Sequence, residues 1–322
     1  MVSTIKTTMP NSGYSLVKGA FLIQGHRVQW DRVRSSMHRV DTLGVLSRLT
    51  CLGCVVRRTY SVPCPKYLVH IDTNHKLIRY NIVIFGGIDG FSRKIMYLGT
   101  SNDNCSSTTL AFFRESVQQF GYPLRVRADH GVENFGVAEL MLTVRGPNSR
   151  SFISGKSVHN QRIERLWRDV WMAVTSMFYI VLHSLEDEGH LDPSNSTHLF
   201  CCHYVFLPRL QHSLKVFRDG WDNHPLRTEQ NMTPNQMWAM GELHNPIHDP
   251  DDVETLQIPY IDWEASGHLR EEQSGIVVPV TRSPLSDQQM EHLNANIDPM
   301  LPSDSFGKDI YLNTLRLVLF MT

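Results

Sequence analysis

Short apolar runs alternate with amphipathic helical segments between residues 67 and 185, and this order strongly constrains the fold of the chain. Runs rich in Val, Ile, Leu and Phe predict strands at 67–72, 80–88, 94–100, 124–129 and 150–154. Helical patterns follow at 106–121, from 132 onward and over 157–185. The predicted elements therefore follow an α/β order: three strands, then a helix, a strand, a helix, a strand and a helix. This order predicts a mixed sheet flanked by helices.

The regions on either side of this α/β segment differ strongly in charge. Residues 1–60 contain nine Lys or Arg against two Asp, a balance of +7, whereas residues 241–300 contain two Arg against twelve Asp or Glu, a balance of −10. The basic N-terminal region predicts a polyanionic partner. The acidic C-terminal region shows no lasting hydrophobic periodicity and predicts a disordered, solvated tail. We therefore expect three regions, at 1–58, 60–240 and 246–322.

The basic N-terminal region contains a helix-turn-helix pattern at residues 13–41. A first apolar stripe ends at Gly25, and a second stripe of Trp30, Val33 and Met37 runs beside arginines. A DNA-binding helix-turn-helix has this order of a helix, a glycine-containing turn and a basic helix. A plain helical hairpin with solvated arginines has the same pattern. On the DNA-binding interpretation, three arginines contact DNA: Arg32, Arg34 and Arg39.

Composition argues against a membrane or secreted protein. No apolar run reaches the roughly 18 residues that a membrane-spanning helix needs, and the N-terminus lacks a charged-then-apolar export signal. Six irregularly spaced cysteines are typical of reduced thiols in an intracellular protein. We therefore expect no membrane partner.

Three carboxylates stand where a metal site can be built. Asp72 and Asp129 each end a predicted strand, and open α/β sheets place their sites at the C-terminal edges of strands. Glu164 lies one turn into the long helix. Oxygen ligands from three separate segments can hold two divalent cations for phosphodiester chemistry. Taken alone, Glu164 also fits an ordinary helical ion pair. Three arginines on the same helix could contact phosphates: Arg162, Arg165 and Arg168.

The chain resembles the catalytic core of retroviral-type integrases and DDE transposases in four segments: HID (70–72), GGIDGFSR (86–93), RADHGVEN (127–134) and HNQRIERLWRD (159–169). The resemblance covers roughly 60–240, continues in GWDNHPLRTEQNMTPNQMW (220–238), and is closer still to an animal group of transposon-derived integrase-core proteins. It implies a ribonuclease H-like fold. It also implies two Mg²⁺ or Mn²⁺ ions held by a catalytic triad: Asp72, Asp129 and Glu164.

The same resemblance implies further properties. Thirty-four residues separate Asp129 from Glu164, one fewer than the family's usual thirty-five. Asn160, one turn before Glu164, would share its helical face and help to position the DNA substrate or a metal-bound water. The family works on DNA as dimers or larger assemblies, so we expect DNA and a homo-oligomer as partners, and a nuclear location. Two departures are the acidic tail, where the family has a basic SH3-like domain, and the missing His-His-Cys-Cys zinc spacing near the N-terminus.

Three functions are compatible with these features. The leading hypothesis is a metal-dependent integrase or transposase derivative that cuts and joins DNA. The second is a host-adapted, catalytically silent DNA-binding protein that retains the fold, which the departures favour. The third is a simple two-metal nuclease. The presence of three acids in the family's pattern favours chemistry, because a pure binding module does not need them.

Overall fold

The computed structural model describes residues 1–8, 14, 17–18, 21, 25–42, 61–129, 131–146, 149–155, 160–250, 278–279 and 281–322. The chain divides into two compact units, Met1–Tyr60 and Ser61–Thr322. The second unit contains the predicted α/β region together with the end of the predicted tail, so these two parts belong to one body.

The N-terminal unit is a small helical cluster. Helix α1 spans Val2–Thr8 and α2 spans Trp30–Val40. Val33 and Met37 of α2 are buried, as their spacing predicts. The first helix of the predicted helix-turn-helix lies largely outside the described residues, so the motif stays a prediction. Among its described residues, the buried side chains that form the core of this unit are Val2, Ile5, Val17, Phe21, Val33 and Met37.

Five strands form one mixed sheet in the C-terminal unit, in the order β3-β2-β1-β4-β5. The strands are β1 (Val69–Asn74), β2 (Val83–Asp89), β3 (Ile95–Ser101), β4 (Val126–Ala128) and β5 (Phe152–Ser154). β1 pairs antiparallel with β2, and β2 with β3, whereas β4 is parallel to both β1 and β5. The predicted mixed sheet is confirmed.

Helices follow the strands in the predicted order. They are α3 (Ser106–Phe120), α4 (Phe135–Arg145), α5 (Gln161–Val170), α6 (Ser176–Asp187), α7 (Ser196–Asn223) and α8 (Pro234–His244). Short 3-10 turns occupy Ile78–Tyr80, Val132–Asn134 and Arg227–Glu229. A π-helical segment, Trp171–Thr175, joins α5 to α6, so the single regular helix predicted over 157–185 is wrong at this point.

Alternation along the strands directs side chains to opposite faces of the sheet, where two cores lie. Phe85 of β2 packs in the core that contains α3 and α4, whereas its neighbour Ile84 packs in the core of α5, α6 and α7. In β1, Ile71 belongs to the α3–α4 core. The flanking residues His70 and Asp72 therefore face α5.

The end of α7 and the segment that follows it dock on the β2–β3 hairpin through polar contacts. The Lys94 ammonium lies 2.9 Å from the carboxylate of Asp222 and 2.6 Å from the amide oxygen of Asn235. The indole N–H of Trp221 donates to the carbonyl of Arg93 at 2.8 Å. These contacts hold the 220–238 segment against the sheet.

The C-terminal region corrects the prediction of a disordered tail over 246–322. Helices α9 (Asp287–Asn296) and α10 (Lys308–Met321) are regular, and α10 packs against α7. Tyr311 and Val318 of α10 are fully buried in the same core as α7. The prediction is therefore wrong for residues 281–322, while 251–277 lie outside the described residues. None of the described helices is long and apolar enough to cross a membrane.

Candidate active site

Asp72 lies inside β1, directly opposite Gly86 of β2. The prediction that it ends its strand is wrong, because Thr73 and Asn74 still pair with β2 and extend β1 by two residues. The carboxylate is partly buried on the α5 side of the sheet. One of its oxygens, Oδ2, accepts a hydrogen bond of 2.8 Å from the indole N–H of Trp167.

Asp129 is the first residue after β4, as predicted. Its Oδ1 accepts hydrogen bonds from the backbone N–H of Gly131 at 3.2 Å and from the side-chain amide of Asn134 at 3.1 Å. Both donors come from the turn that follows the strand. The turn therefore orients the Asp129 carboxylate.

Glu164 is exposed in the first turn of α5. Among the described residues it forms no ion pair; the helical ion pair that does form joins Arg165 to Asp169 at 3.2 Å. Within the described ranges, the ordinary ion-pair alternative for Glu164 therefore finds no partner. Arg165 and Arg168 are exposed on the same helix, and Arg162 is partly buried.

The charges of the three predicted acids act on one another. Burial raises the pKa of Asp72 to about 7, and the negative charges of Asp129 and Glu164 contribute to the increase. The hydrogen bond from Trp167 opposes this shift by stabilising the ionised form. Asp129 and Glu164 are thus near enough to Asp72 for their negative charges to act on it.

The acids do not form a closed metal cage. In the described part of the chain, no three His, Cys, Asp or Glu side chains are grouped at distances that could hold a metal ion. The three acids are therefore not gathered into one cluster of ligands, and repulsion between like charges opposes their close approach. The donor chemistry nevertheless fits Mg²⁺ or Mn²⁺, because carboxylate oxygens are their usual ligands and a cation would offset the charge that raises the pKa of Asp72. The residues that would hold it are Asp72, Asp129 and Glu164.

Asn160 has a different role from the predicted DNA contact. Its side chain is 2% exposed. Its amide oxygen lies 2.6 Å from Nδ1 of His70, and its amide nitrogen donates to the carbonyl of Ile71 at 2.9 Å. Because the nitrogen is the donor to Ile71, His70 donates through Nδ1–H to the amide oxygen. Asn160 therefore fixes the beginning of α5 to β1, one residue before Asp72.

His70 is a buried member of this contact that the sequence analysis did not single out. Its pKa is lowered to about 4, chiefly by burial and also by the positive charges of Arg127 and Arg162, while the hydrogen bond with Asn160 opposes this shift. The ring is therefore neutral near pH 7 and serves as a hydrogen-bond donor. Its position two residues before Asp72, on the same face of β1, was the sequence signal available for it.

Trp167 is the second side chain that the sequence analysis missed. It is 7% exposed and contacts both Asp72 and the backbone of β2. A Cβ atom on Gly86 would lie 2.5 Å from the indole ring, so the glycine provides the space that the ring occupies. The available signals were the helical spacing of three residues from Glu164 and the unusual Gly86–Gly87 pair inside an apolar strand.

Glu133 adds a fourth carboxylate beside Asp129. It is 5% exposed and accepts a hydrogen bond of 3.2 Å from the hydroxyl of Thr73, the neighbour of Asp72. Burial raises the pKa of Glu133, and the charge of Asp129 adds to the increase. A side chain at Gly131 would collide with the Glu133 carboxylate, so glycine leaves room for that carboxylate in its present position. The contact ties the turn after β4 to β1.

The three arginines predicted in the N-terminal unit are exposed on α2. Arg34 lies 3.5 Å from Asp31 in a solvent-exposed pair. Arg32 and Arg39 line a cleft of about 720 Å³ together with Val2 and Phe21. All three are accessible to a polyanion, as the helix-turn-helix interpretation requires.

Comparison with known proteins identifies the family. The model of the integrase core domain matches residues 59–250, which is more than half of the chain. The chain belongs to the integrase core domain family. The resemblance drawn from the sequence is thereby confirmed, and the mixed sheet with its flanking helices is the ribonuclease H-like fold of an integrase core.

Two kinds of solved integrase structure are similar to this integrase-core chain. The catalytic core domain of the HTLV-2 integrase in complex with magnesium, in trimeric and dimeric forms, is 14% identical, with 54% of this chain and 97% of that chain covered and a TM-score of 0.34. The simian T-cell lymphotropic virus intasome in complex with the PP2A regulatory subunit B56 gamma is 12% identical. The match covers 81% of this chain and 78% of that chain, with a TM-score of 0.36. A search of curated proteins found no match.

Proposed function

We propose that this integrase-core chain is a metal-dependent DNA-processing enzyme that cleaves phosphodiester bonds and transfers DNA strands. One observation carries the proposal: the pKa of Asp72 is raised to about 7 by burial and by the charges of Asp129 and Glu164. Three interacting carboxylates without an ion-pair partner among the described residues cost stability, and such sites are concentrated at functional centres. Their positions in the sequence also match, within one residue of spacing, the triad that the resemblance implies.

In the proposed mechanism Asp72, Asp129 and Glu164 would hold two Mg²⁺ or Mn²⁺ ions. When bound, two such cations stabilise the charge that develops during an in-line displacement at phosphorus. Water in cleavage, or a DNA 3′-hydroxyl in joining, attacks phosphorus and breaks its bond to the leaving DNA oxygen. The protein places the acids: Asn134 orients Asp129, and Asn160 fixes α5 so that Glu164 lies on the side of Asp72.

The proposal extends to the partners of the chain. DNA phosphates are contacted by Arg165 and Arg168, which are exposed on α5 beside the acids, and by partly buried Arg162. The α2 arginines add sequence-independent affinity. We further propose a homo-oligomer, because joining requires two DNA ends to meet, and a nuclear location, because the substrate is DNA.

Glu164→Gln tests the assignment, since it keeps the shape of the side chain and removes the charge that a divalent cation needs. We expect Mn²⁺-dependent nicking and strand transfer to fall more than about 100-fold, because even the outer partners of metal ligands contribute about 10–100-fold. DNA binding should persist, because the arginines carry it. The measurement pairs nicking of DNA that carries candidate ends with thermal melting with and without Mn²⁺.

Asp169→Asn is the matched control, because it makes the same chemical change on the same helix in a carboxylate that pairs with Arg165. It should leave nicking unchanged. Equal nicking by wild type and Glu164→Gln would remove Glu164 from the site. If the wild type binds DNA but neither nicks it nor gains stability from Mn²⁺, the silent DNA-binding alternative is correct. The open grouping of the acids is the observation that favours this alternative.

A further inference from the structure

Trp167 links the strand that carries the first acid to the helix that carries the third. It lies in α5, three residues after Glu164, and its indole N–H donates to Oδ2 of Asp72 at 2.8 Å. At 7% exposure the hydrogen bond is shielded from water. Shielding matters, because a hydrogen bond to a charged acceptor is stronger in a site of low dielectric constant.

Strand β2 is shaped to receive the indole ring. Gly86 is the residue of β2 that pairs with Asp72, and a Cβ there would lie 2.5 Å from the end of the ring and 3.1 and 3.3 Å from two further ring atoms. The ring also belongs to the core formed by α5, α6 and α7. Packing therefore fixes the direction in which the indole N–H points.

A second contact joins α5 to β1 on the N-terminal side of Glu164. Asn160 binds His70 and Ile71, the two residues that precede Asp72, while Trp167 binds Asp72 itself. Residues 160 and 167 are two turns apart on one side of the helix. Glu164 lies between them, so these two side chains set its position along β1.

We propose that Trp167 is a positioning residue for the acids. Its hydrogen bond holds the Asp72 carboxylate in one orientation, and its attachment to α5 fixes the distance between Asp72 and Glu164. The inference rests on the proposed function of these acids as metal ligands. Loss of the indole N–H therefore weakens the binding of a divalent cation without removing any ligand.

Trp167→Phe keeps most of the ring volume and removes the donor. The experiment uses the full chain and titrates Mn²⁺, following both thermal melting and the nicking of DNA. We expect the Mn²⁺ concentration at half-maximal effect to rise about tenfold or more in both measurements. The nicking rate at saturating Mn²⁺ should change much less, because all three carboxylates remain.

Trp221→Phe is the matched control, because it removes an indole hydrogen bond of the same 2.8 Å length, to the carbonyl of Arg93 on the β2–β3 hairpin. It should not move the Mn²⁺ midpoint. A second test introduces Asp72→Asn, in whose background Trp167→Phe should have no further effect on the Mn²⁺ midpoint. This comparison separates positioning of Asp72 from general loosening of the core.

The outcomes distinguish the two claims. If Mn²⁺ acts on the wild type and Trp167→Phe shows the same midpoint, or if Trp221→Phe moves the midpoint equally, the role of Trp167 is overturned while the proposed function stands. If Mn²⁺ stabilises none of the proteins and nicking is absent, the proposed function fails and the positioning role with it. A raised midpoint confined to Trp167→Phe supports both.

Discussion

Asp72 couples the stability of the fold to pH. Its pKa in the folded chain is raised to about 7, above the ordinary value of 3.8 expected in the unfolded chain. Between these two values the folded state binds a proton that the unfolded state does not. Stability therefore falls as the pH rises through this window, and above pH 7 the full cost of ionising Asp72 is present.

Asp72→Asn should remove this cost in the metal-free protein. We expect the variant to be more stable than the wild type at pH 8, by about 2–4 kcal/mol, since each pKa unit corresponds to about 1.4 kcal/mol. At pH 4.5 the difference should shrink to about 1 kcal/mol or less. Urea denaturation at the two pH values, in the presence of a chelator, measures both differences.

The comparison cancels the contribution of His70, whose pKa of about 4 also affects stability in acid, because both proteins contain it. Asp169→Asn serves as a control, because it removes an acid at the surface of α5. A stability gain for Asp72→Asn that is equal at both pH values would contradict the assignment. Such a gain would come from the uncharged amide itself and not from removing the ionisation of Asp72, which depends on pH.

Residue patterns identify the acids but not the side chains that orient them. Asp129 and Glu164 follow from strand and helix patterns and from the spacing of the family motif. The sequence patterns assigned Asn160 a role in substrate positioning and assigned Trp167 no role, because the partners of both side chains lie on β1, some ninety residues earlier in the chain. Such contacts depend on how a helix packs against a sheet, and local periodicity contains no information about that.

At the scale of elements, the C-terminal helices show why composition misled the prediction. The acidic, proline-containing stretch before residue 300 is typical of disorder. Helix α10, however, places Ile310, Thr314 and Val318 on one side at helical spacing, and all three are buried. Their partner is α7, about one hundred residues earlier. The apolar stretch YLNTLRLVLFMT at 311–322 therefore supplies part of the buried face of a helix, while Leu319 and Phe320 of the same stretch are exposed.

Tyr311→Ala tests whether α10 is part of the folded unit. Tyr311 is fully buried, its ring centre lies 6.0 Å from that of Phe206, and its hydroxyl donates to the carbonyl of His190 at 2.9 Å. Removal of a buried aromatic side chain typically costs about 3–5 kcal/mol. We expect a loss of that size in the free energy of unfolding, measured by urea denaturation.

Phe320→Ala is the matched control on the same helix, because Phe320 is 88% exposed. It should change the free energy of unfolding by less than about 0.5 kcal/mol. A small effect for Tyr311→Ala, similar to that of Phe320→Ala, would show that α10 does not pack on α7 in solution and would restore the prediction of a disordered tail.

For the whole molecule, the distribution of charge matters more than its sum. The chain has a formal net charge of −1, yet residues 1–60 have a balance of +7. Net charge alone would predict weak attraction to DNA. The local excess in the N-terminal unit predicts the opposite, because counterions are released where cations meet phosphates.

Replacing Arg32, Arg34 and Arg39 with Ala tests this role in the full chain. We expect weaker binding to DNA of any sequence. A plot of the logarithm of the binding constant against the logarithm of salt concentration should become shallower by about 1 for each arginine that contacts a phosphate.

The control replaces Lys215, Arg282 and Arg316 with Ala, which changes the net charge equally at exposed positions of the other unit. If the two triple variants lose affinity and slope equally, binding follows total charge and the helix-turn-helix interpretation fails. A loss confined to the α2 variant, with metal-dependent nicking by the acids retained at low salt, would assign DNA capture to the first unit and chemistry to the second.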